Sequence, residues 1–483
     1  MQRLSTLDSS FLRVETPTAH MHVGWLAIVT LPEGMEALDV ALLRRRVESR
    51  LHHAPRFRRR VQQAPLGEPV LRDDPGFDIS NHVTEAPRRV MQPRELRATT
   101  DAFLSQQLER DRPLWEIMVV PRVGRGRAAV VGKVHHALVD GVAAVELGTL
   151  LFDLHPGDGG DESLVWEPER APSPARFALD LVADSAVDQF RTARRMVRMG
   201  ISPRRTLRAA DTMRRAALSL AEEVIQPAEP SFLNRPIGPE RALLHRSVPI
   251  RRLERLKAPF GLKLNDVVLA VMTGALRRYS ELAEAEARPL RTMVPVNVRG
   301  AGDASAEGNR IAFGFVDLPL DEADPLRRVK LIRWQTERMR GPGAVIGRDA
   351  LLRSVGVLPG PLKTQAARFA ASARTFNLTI SNVVGPRIAL YAAGARVEEI
   401  YPVIPLSDSH ALSVGVLSYG DYLHFAIHVA PRSLVDPGEL PHLVGSSISE
   451  LEHLLPKPLP ARTTRRRAPR STARGDRPTH VGG

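Results

Sequence analysis

The sequence predicts an α/β protein built from two successive halves. In the first half an apolar run from Met21 to Val29 is typical of a buried strand, and the stretch from Ala37 to Leu51 is typical of an amphipathic helix. In the second half a helical pattern from Leu264 to Tyr279 precedes several strand-like runs. At 483 residues the chain also exceeds the usual size of one domain. We therefore expect two domains, or one double-lobed unit, with large buried cores.

The later strands are predicted from apolar runs and from alternation. They are expected at Met293 to Val298, Ile311 to Leu318, Leu378 to Ser381, and Leu423 to Val429. In the last of these, apolar residues alternate with His424, Ala426 and His428, which predicts a strand buried on one face only.

Composition shifts divide the chain into four parts. Residues 1–155 form the first predicted lobe, and residues 156–240 contain a Gly-, Pro- and acid-rich linker followed by helices predicted between Arg176 and Ile225. Residues 241–457 form the second predicted lobe. The tail at 458–483 is rich in Pro, Arg, Thr and Gly and predicts disorder.

Charge and cysteine content exclude several functions. There is no cysteine, so thiolate catalysis, disulfides and cysteine-bound metals are excluded.

The net charge of +14 comes from two stretches: nine arginines and one acid between Arg191 and Arg215, and seven arginines and one acid between Ala461 and Gly483. We find no apolar run long enough for a membrane span and no secretory signal at the N-terminus, so the sequence predicts a cytoplasmic protein.

One motif carries the predicted chemistry. An apolar strand from Ala128 to Val134 ends in His135 and His136, and Asp140-Gly141 then opens a helical pattern. Adjacent side chains on a strand point to opposite faces, so one histidine is expected to be catalytic and the other structural. Imidazole suits the removal of a hydroxyl proton during acyl transfer near neutral pH.

Two more residues are assigned to this junction. The Asp140 carboxylate is expected to fix the turn through an arginine, with Arg58 as the candidate partner, and Gly141 allows close backbone approach or a left-handed conformation. In the alternative interpretation, the two histidines are core residues and Asp140-Gly141 is an ordinary turn. That interpretation fits the histidine pair and the Asp-Gly dipeptide when each is taken alone. The joined motif at a strand-to-helix junction favours the functional interpretation.

The motif and several other segments resemble a known family. His135-His136-Ala137-Leu138-Val139-Asp140-Gly141 resembles the HHxxxDG signature of the chloramphenicol-acetyltransferase-like superfamily. The segments that narrow the resemblance to bacterial wax ester synthases/diacylglycerol acyltransferases are Leu4-Ser5-Thr6-Leu7-Asp8, Phe11-Leu12, Met21-His22-Val23-Gly24, Arg112-Pro113-Leu114-Trp115-Glu116, Leu264-Asn265-Asp266, Asn309-Arg310 and Ser381-Asn382-Val383-Val384-Gly385-Pro386. The resemblance runs from Met1 to about Leu455.

The resemblance implies both fold and activity. It implies two chloramphenicol-acetyltransferase-like lobes joined by a crossover, with an active-site channel between them. His136 would act as general base on the hydroxyl of diacylglycerol or a long-chain alcohol, which attacks the thioester of a long-chain acyl-CoA to give triacylglycerol or a wax ester as storage lipid. Asn265 is the candidate for stabilising the oxyanion or positioning the substrate, and a helix N-cap is the alternative role for it.

No cofactor and no metal are expected, with acyl-CoA as co-substrate. Two departures from the family's pattern put the substrate preference in question. Asn297 occupies a position where many members carry serine, and Pro69-Val70-Leu71 lacks the tryptophan that members often carry before Phe77-Asp78. Two other functions stay open: a condensing acyltransferase of the same superfamily that takes its acyl group from a carrier protein, and a non-catalytic protein that coats lipid droplets.

The Arg191–Arg215 stretch suggests a partner. It could lie on an anionic membrane or droplet surface with its arginines at the headgroups, which suits lipid substrates. A solvated helical face is an equal alternative. Nucleic acid is not favoured, since only 5% of the residues are aromatic and no recognition motif is present.

Overall fold

The computed structural model of the protein describes residues 2–64, 68–139, 147–157, 166–169, 227–297, 311–340 and 360–455. Both arginine-rich stretches, the helices predicted between 176 and 225, the tail at 458–483, and Asp140 and Gly141 lie outside the described residues.

The first part of the chain alternates strands and helices. Its strands are β1 (Gln2–Arg3), β2 (His22–Thr30), β3 (Arg59–Gln62), β4 (Val70–Asp73), β5 (Val83–Glu85), β6 (Val90–Met91), β7 (Trp115–Val123) and β8 (Arg127–His135). Its α-helices are α1 (Thr6–Val14), α2 (Val40–Arg50) and α3 (Pro93–Ser105), with short 3₁₀ turns at Leu51–His53, Pro55–Arg58 and Ile79–Asn81. A helical turn at 147–151 follows the motif.

The second part is similar in kind. Its strands are β9 (Ala242–Pro249), β10 (Leu290–Asn297), β11 (Ile311–Leu318), β12 (Leu378–Val384), β13 (Tyr391–Ala392), β14 (Ala395–Val403), β15 (Leu412–Tyr419) and β16 (Tyr422–Val429). Its α-helices are α4 (Ile250–Glu254), α5 (Lys257–Phe260), α6 (Leu264–Leu282), α7 (Pro325–Met339), α8 (Gly360–Ala370) and α9 (Leu440–His453), with 3₁₀ turns at Pro431–Ser433 and Pro437–Glu439.

Two large sheets organise the described residues. The N-terminal sheet has the order β13-β14-β2-β8-β7-β5, with β6 also paired to β7, and the C-terminal sheet has the order β11-β10-β12-β15-β16-β9. A third sheet has three strands in the order β1-β4-β3. The division of the chain at residue 241 does not separate the two sheets, because β13 and β14 follow that boundary and yet belong to the N-terminal sheet, where β14 runs antiparallel to β2.

β14 brings the two sheets together. Its Tyr401 and Val403 share an apolar cluster with Leu26 of β2 and with Leu243 and Ala426 of the C-terminal sheet. The other face of the C-terminal sheet packs on α6 and α9. The strand β16, predicted to be buried on one face, is therefore buried on both, and only Tyr422 at its start is exposed. That prediction was wrong because a second sheet covers the face that carries His424 and His428.

Polar side chains bond the backbone at both ends of α2. The helix predicted from Ala37 begins at Val40, since the Asp39 carboxylate accepts the Leu42 N–H at 3.0 Å and acts as N-cap. His52, just past the end of α2, bonds the Ser49 carbonyl oxygen through Nδ1 at 2.7 Å.

Within the described residues, no single helix has both the length and the apolar composition of a membrane span. The Ile250–Phe260 and Leu264–Leu282 segments meet those criteria only as a pair, and they meet at an angle of 102°.

Candidate active site

The site is built where β8 ends beside the start of β2. His22 is paired directly with His135 in the antiparallel register, and the His136 N–H donates to the Met21 carbonyl oxygen at 2.9 Å. Met21 has a φ of 50°, a left-handed conformation that is uncommon for a long side chain and is found more often at functional sites than elsewhere. The chain entering β2 is thus held in an unusual conformation next to the motif.

His135 is enclosed and structural in its contacts. Its side chain is fully buried, and its Nδ1 accepts the Ala137 N–H at 3.0 Å, which assigns the proton of the neutral ring to Nε2. Nε2 lies 3.6 Å from Glu15 Oε2, beyond hydrogen-bond range but close enough for electrostatic attraction. Burial, together with the nearby charge of Arg110, lowers the pKa of His135 to about 3. His135 therefore shapes the turn as a neutral ring.

Glu15 is itself tied down. Its carboxylate forms an ion pair with Arg110 and accepts a hydrogen bond from the Gln107 side chain at 2.9 Å. The loop after α1 is thereby joined to the segment after α3, on either side of His135.

His136 has a different environment from its neighbour. Its ring stacks on Phe11 of α1, with centroids 3.8 Å apart and planes inclined by 10°, and the residue keeps partial exposure. Nδ1 is buried and has no hydrogen-bond partner among the described residues. Burial, with a smaller contribution from the neighbouring His135, lowers the pKa of His136 to about 4. At neutral pH the ring is uncharged and has a lone pair available to accept a proton.

A buried row of basic groups continues from His135 on the same face of the sheet. Lys133 Nζ donates to the carbonyl oxygens of Phe103 at 3.0 Å and Gln106 at 2.9 Å, at the C-terminal end of α3, and pairs with Glu116 at 3.2 Å. His22 lies beside it, and burial lowers the pKa of His22 well below its usual value. On this side of β8, Lys133 ties the strand to the end of α3, and its ammonium group is already engaged.

Arg58 lies in a pocket of aromatic rings. Its guanidinium donates to the Glu48 carbonyl oxygen at 3.1 Å and lies 5.0 Å from the Trp166 ring centroid and 6.0 Å from that of Phe77. Arg58 Nε is buried without a partner among the described residues. Asp140 lies outside the described residues, so the pairing of Asp140 with Arg58, like the role of Gly141, stays a prediction.

Asn265 is the second residue of α6 and is half-buried. It is not the N-cap: Lys263 occupies that position, and the Asp266 carboxylate accepts the Lys263 N–H at 2.9 Å. Asp266 is buried and also forms an ion pair with Arg340. Among the described residues no hydrogen bond joins Asn265 to His136, and its contribution to the oxyanion stays a prediction.

Two residues at the site were not identified from the sequence. Phe11 was noted only as part of a family segment, and Glu15 was not singled out. Each is more than 100 positions from the motif, so no spacing pattern connects them to it. The described residues contain no cluster of three or more His, Asp or Glu side chains that could hold a metal ion.

The sequence model of the wax ester synthase/diacylglycerol acyltransferase catalytic domain matches residues 4–268, more than half of the chain. The chain belongs to the wax ester synthase/diacylglycerol acyltransferase family. The model of the family's C-terminal domain matches residues 307–452. Membership makes the protein an acyltransferase, as the motif predicted.

Relatives of the family cover nearly the whole chain. A Mycobacterium tuberculosis protein described as probable diacylglycerol O-acyltransferase tgs2 is 32% identical over 92% of this chain and 97% of its own. The probable diacylglycerol O-acyltransferase tgs1 of the same organism is 30% identical over 93% and 96%.

Solved structures share the fold. The wax ester synthase/diacylglycerol acyltransferase from Marinobacter aquaeolei is 26% identical, with a TM-score of 0.60 over 93% of this chain and 99% of that one. The first condensation domain of the calcium-dependent antibiotic synthetase has 15% identity and a TM-score of 0.56 over 94% of this chain and 96% of its own, which shows similarity of fold alone. The two-lobed α/β fold predicted from the resemblance is confirmed.

Proposed function

We propose that this acyltransferase moves a long-chain fatty acyl group from acyl-CoA to the free hydroxyl of diacylglycerol, and also to long-chain alcohols, with His136 as the general base. The observation that carries the proposal is the environment of His136: a half-buried residue whose neutral ring is held against Phe11 at the end of β8. The names of the relatives support diacylglycerol as the acceptor.

The chemistry needs one proton acceptor. An imidazole nitrogen of His136 takes the hydroxyl proton as the oxygen attacks the thioester carbonyl, and a C–O bond forms. When the tetrahedral intermediate collapses, the C–S bond breaks and the thiolate of CoA takes the proton from the imidazolium. The ring returns to its neutral form, so no covalent enzyme intermediate and no cofactor other than the co-substrate acyl-CoA is required.

Asn265 is the proposed donor to the oxyanion. Its position supports this role because the first turn of α6 is fixed by two contacts of Asp266, with the Lys263 N–H and with Arg340. A donor with a fixed backbone loses little entropy when it binds the developing charge.

The experiment measures CoA release from palmitoyl-CoA by the purified full chain, with diacylglycerol and hexadecanol offered in parallel. We expect release that depends on an acceptor, with diacylglycerol the better of the two. No release with either acceptor from folded protein would contradict the proposal. Transfer from an acylated carrier protein under the same conditions would then favour the condensing alternative.

Peripheral attachment to a lipid surface belongs to the same proposal. The outward face of α7 carries Leu331 and Trp334, which are 42% and 55% exposed. Arg327, Lys330 and Arg338 surround them, and the Arg338 guanidinium lies 4.5 Å from the Trp334 ring centroid. A tryptophan among exposed cations is typical of a helix that lies at the boundary of an anionic bilayer.

Sedimentation with phosphatidylglycerol vesicles tests this attachment. Trp334→Ala should reduce the bound fraction, whereas Phe369→Ala, which removes an exposed aromatic ring from α8, should not. Equal binding by wild type and Trp334→Ala would contradict attachment through α7.

A further inference from the structure

A pocket of about 720 Å³ opens on the outer side of the C-terminal half. Arginines from three elements line it: Arg246 of β9, Arg252 of α4 and Arg278 of α6. One face of α9 completes the wall with His442, Gly445, Ser446, Ser449 and His453. We call this the arginine pocket.

The arginine pocket does not belong to the seam between the two sheets. Side chains on β9 alternate, and Ser247 points to that seam, where its hydroxyl bonds Tyr401 at 2.8 Å and His424 at 2.7 Å. Arg246 points the other way and donates to the Pro441 carbonyl oxygen on α9 at 3.0 Å. The body of the C-terminal sheet therefore separates the arginine pocket from the seam.

Positive charge in and around the pocket exceeds negative charge. Arg252 donates through Nε and Nη2 to the two carboxylate oxygens of Glu452, at 2.8 and 2.5 Å. Glu450 is shared between Arg278, at 3.1 Å, and the buried Arg328, at 2.6 Å. Among the described residues Arg246 has no carboxylate partner.

The arginine side chains that carry this excess positive charge are held in fixed positions. A Cβ on Gly445 would lie 2.6 Å from Arg246 Nη2, so the glycine allows the guanidinium to lie flat against α9. On the other side of the pocket, a Cβ on Gly274 of α6 would lie 2.3 Å from Ser447 Oγ. The two helices are thus packed closely, and the lining side chains come from elements that are fixed relative to one another.

We propose that the arginine pocket binds a phosphate-bearing ligand at a site separate from acyl transfer. Guanidinium groups bind phosphate oxygens in pairs with matched geometry. The Ser446 and Ser449 hydroxyls already donate to the carbonyl oxygens of His442 and Gly445, so the arginines are the groups that would hold the phosphate. The pocket's volume falls within the range of small-molecule sites. The phosphate could come from a dissolved phosphate compound or from the headgroup of an anionic phospholipid, and the experiment distinguishes these sources.

Calorimetry with inorganic pyrophosphate is the first arm of the test, and sedimentation with phosphatidylcholine vesicles with and without phosphatidic acid is the second. The full chain is used in a phosphate-free buffer. Ser446→Glu places a carboxylate in the pocket at an exposed helical position, and Gln365→Glu adds the same charge at an exposed position of α8 as its control. Arg246→Gln removes the arginine that lacks a carboxylate, and Arg94→Gln, exposed on α3, is its control.

Wild type and both controls should bind pyrophosphate, and both pocket variants should bind it at least about tenfold more weakly, since a charge-assisted contact is lost or opposed. A phosphatidic acid dependence that Ser446→Glu weakens would identify the lipid headgroup as a source. A dependence that Ser446→Glu leaves unchanged, as attachment through α7 alone would give, would identify a dissolved compound if pyrophosphate binding is intact. If wild type binds neither probe, or if Ser446→Glu binds as wild type does, the arginines serve only the ion pairs between helices and the proposal is overturned. Acyl transfer by Ser446→Glu in detergent should equal that of wild type, so the result is independent of the proposed function.

Discussion

At the scale of single residues, the two adjacent imidazoles at the end of β8 differ in what surrounds them. His135 accepts a backbone N–H and faces a carboxylate that is already paired with Arg110. His136 stacks on Phe11, and the residue as a whole is half-buried. His135 is the last residue of β8 and His136 is the first residue of the turn that follows, so these neighbours in sequence take separate roles, one holding the turn and one available to a substrate.

The pH dependence of kcat/KM should reflect the lowered pKa of His136. The base acts in its neutral form, so activity is lost as pH falls through the pKa of the folded protein. Because burial lowers that pKa to about 4, the acidic limb should lie well below the value near 6.5 of an ordinary histidine. The measurement is kcat/KM from pH 4 to 8, with circular dichroism at each pH to confirm the fold. An acidic limb close to 6.5 would contradict the environment described for His136.

The sequence revealed the motif but not its surroundings. His135 and His136 could be identified because the motif is contiguous and follows a recognisable strand. Phe11 and Glu15 meet these rings only through tertiary packing, and a phenylalanine in an amphipathic helix has an ordinary role in a core. Such contacts leave no period or spacing in the sequence.

At the scale of elements, the pairing of β2 with β8 depends on a glycine. Trp25 lies directly opposite Gly132 in the antiparallel register, and its ring covers the glycine. A Cβ at Gly132 would lie 2.0 Å from the nearest ring atom. The strand that carries His135 therefore keeps its position because no side chain separates it from the indole.

Gly132→Ala should lower the free energy of unfolding by about 1–3 kcal/mol, because the added methyl group must displace the Trp25 ring. The same substitution at Gly148 is the control: that residue is helical with open space around it, so alanine should be neutral or stabilising there by about 0.5–1 kcal/mol. Urea denaturation measures both. Equal stability of Gly132→Ala and wild type would show that the ring does not depend on the glycine.

Element types were predictable from the sequence where the signal is local. The cap at Asp39 and the histidine at the end of α2 act as such residues usually do. Lys133 is different: it lies within an apolar run, and nothing in that run indicates that its ammonium group would bind the carbonyl oxygens at the end of α3. The partner of a buried charge is determined by the fold.

At the scale of the whole molecule, β14 joins the two halves. It pairs with β2, while its Tyr401 hydroxyl lies 2.8 Å from the Ser247 hydroxyl, which in turn lies 2.7 Å from His424 on the C-terminal sheet. His428 on the same strand bonds the carbonyl oxygen of Ile404, just past β14, at 2.8 Å. The seam between the sheets therefore contains imidazoles buried in neutral form. A reading of the chain in order could not show that residues 395–403 return to the first sheet.

Stability should fall as the pH decreases below 6.5. Burial lowers the pKa of His424 to about 4 and of His428 and His135 to about 3. Between those values and about 6.5 the unfolded chain binds protons that the folded one does not, so the free energy of unfolding falls by about 1.4 kcal/mol per pH unit for each such histidine.

Urea midpoints between pH 7 and 4.5 measure this dependence. His424→Gln should show a shallower slope than wild type, by about one histidine's contribution. An unchanged slope in that variant would contradict the lowered pKa, because it would mean that the folded and unfolded chains protonate His424 alike in this range.

The most direct test of the central claim is the turnover of His136→Ala with palmitoyl-CoA and diacylglycerol, beside wild type and His53→Ala, which removes an exposed histidine. Loss of a general base should reduce kcat by about 10²- to 10⁴-fold while the fold persists, and His53→Ala should match wild type. A His136→Ala protein that keeps turnover within a few-fold of wild type would contradict the role of His136 as the base.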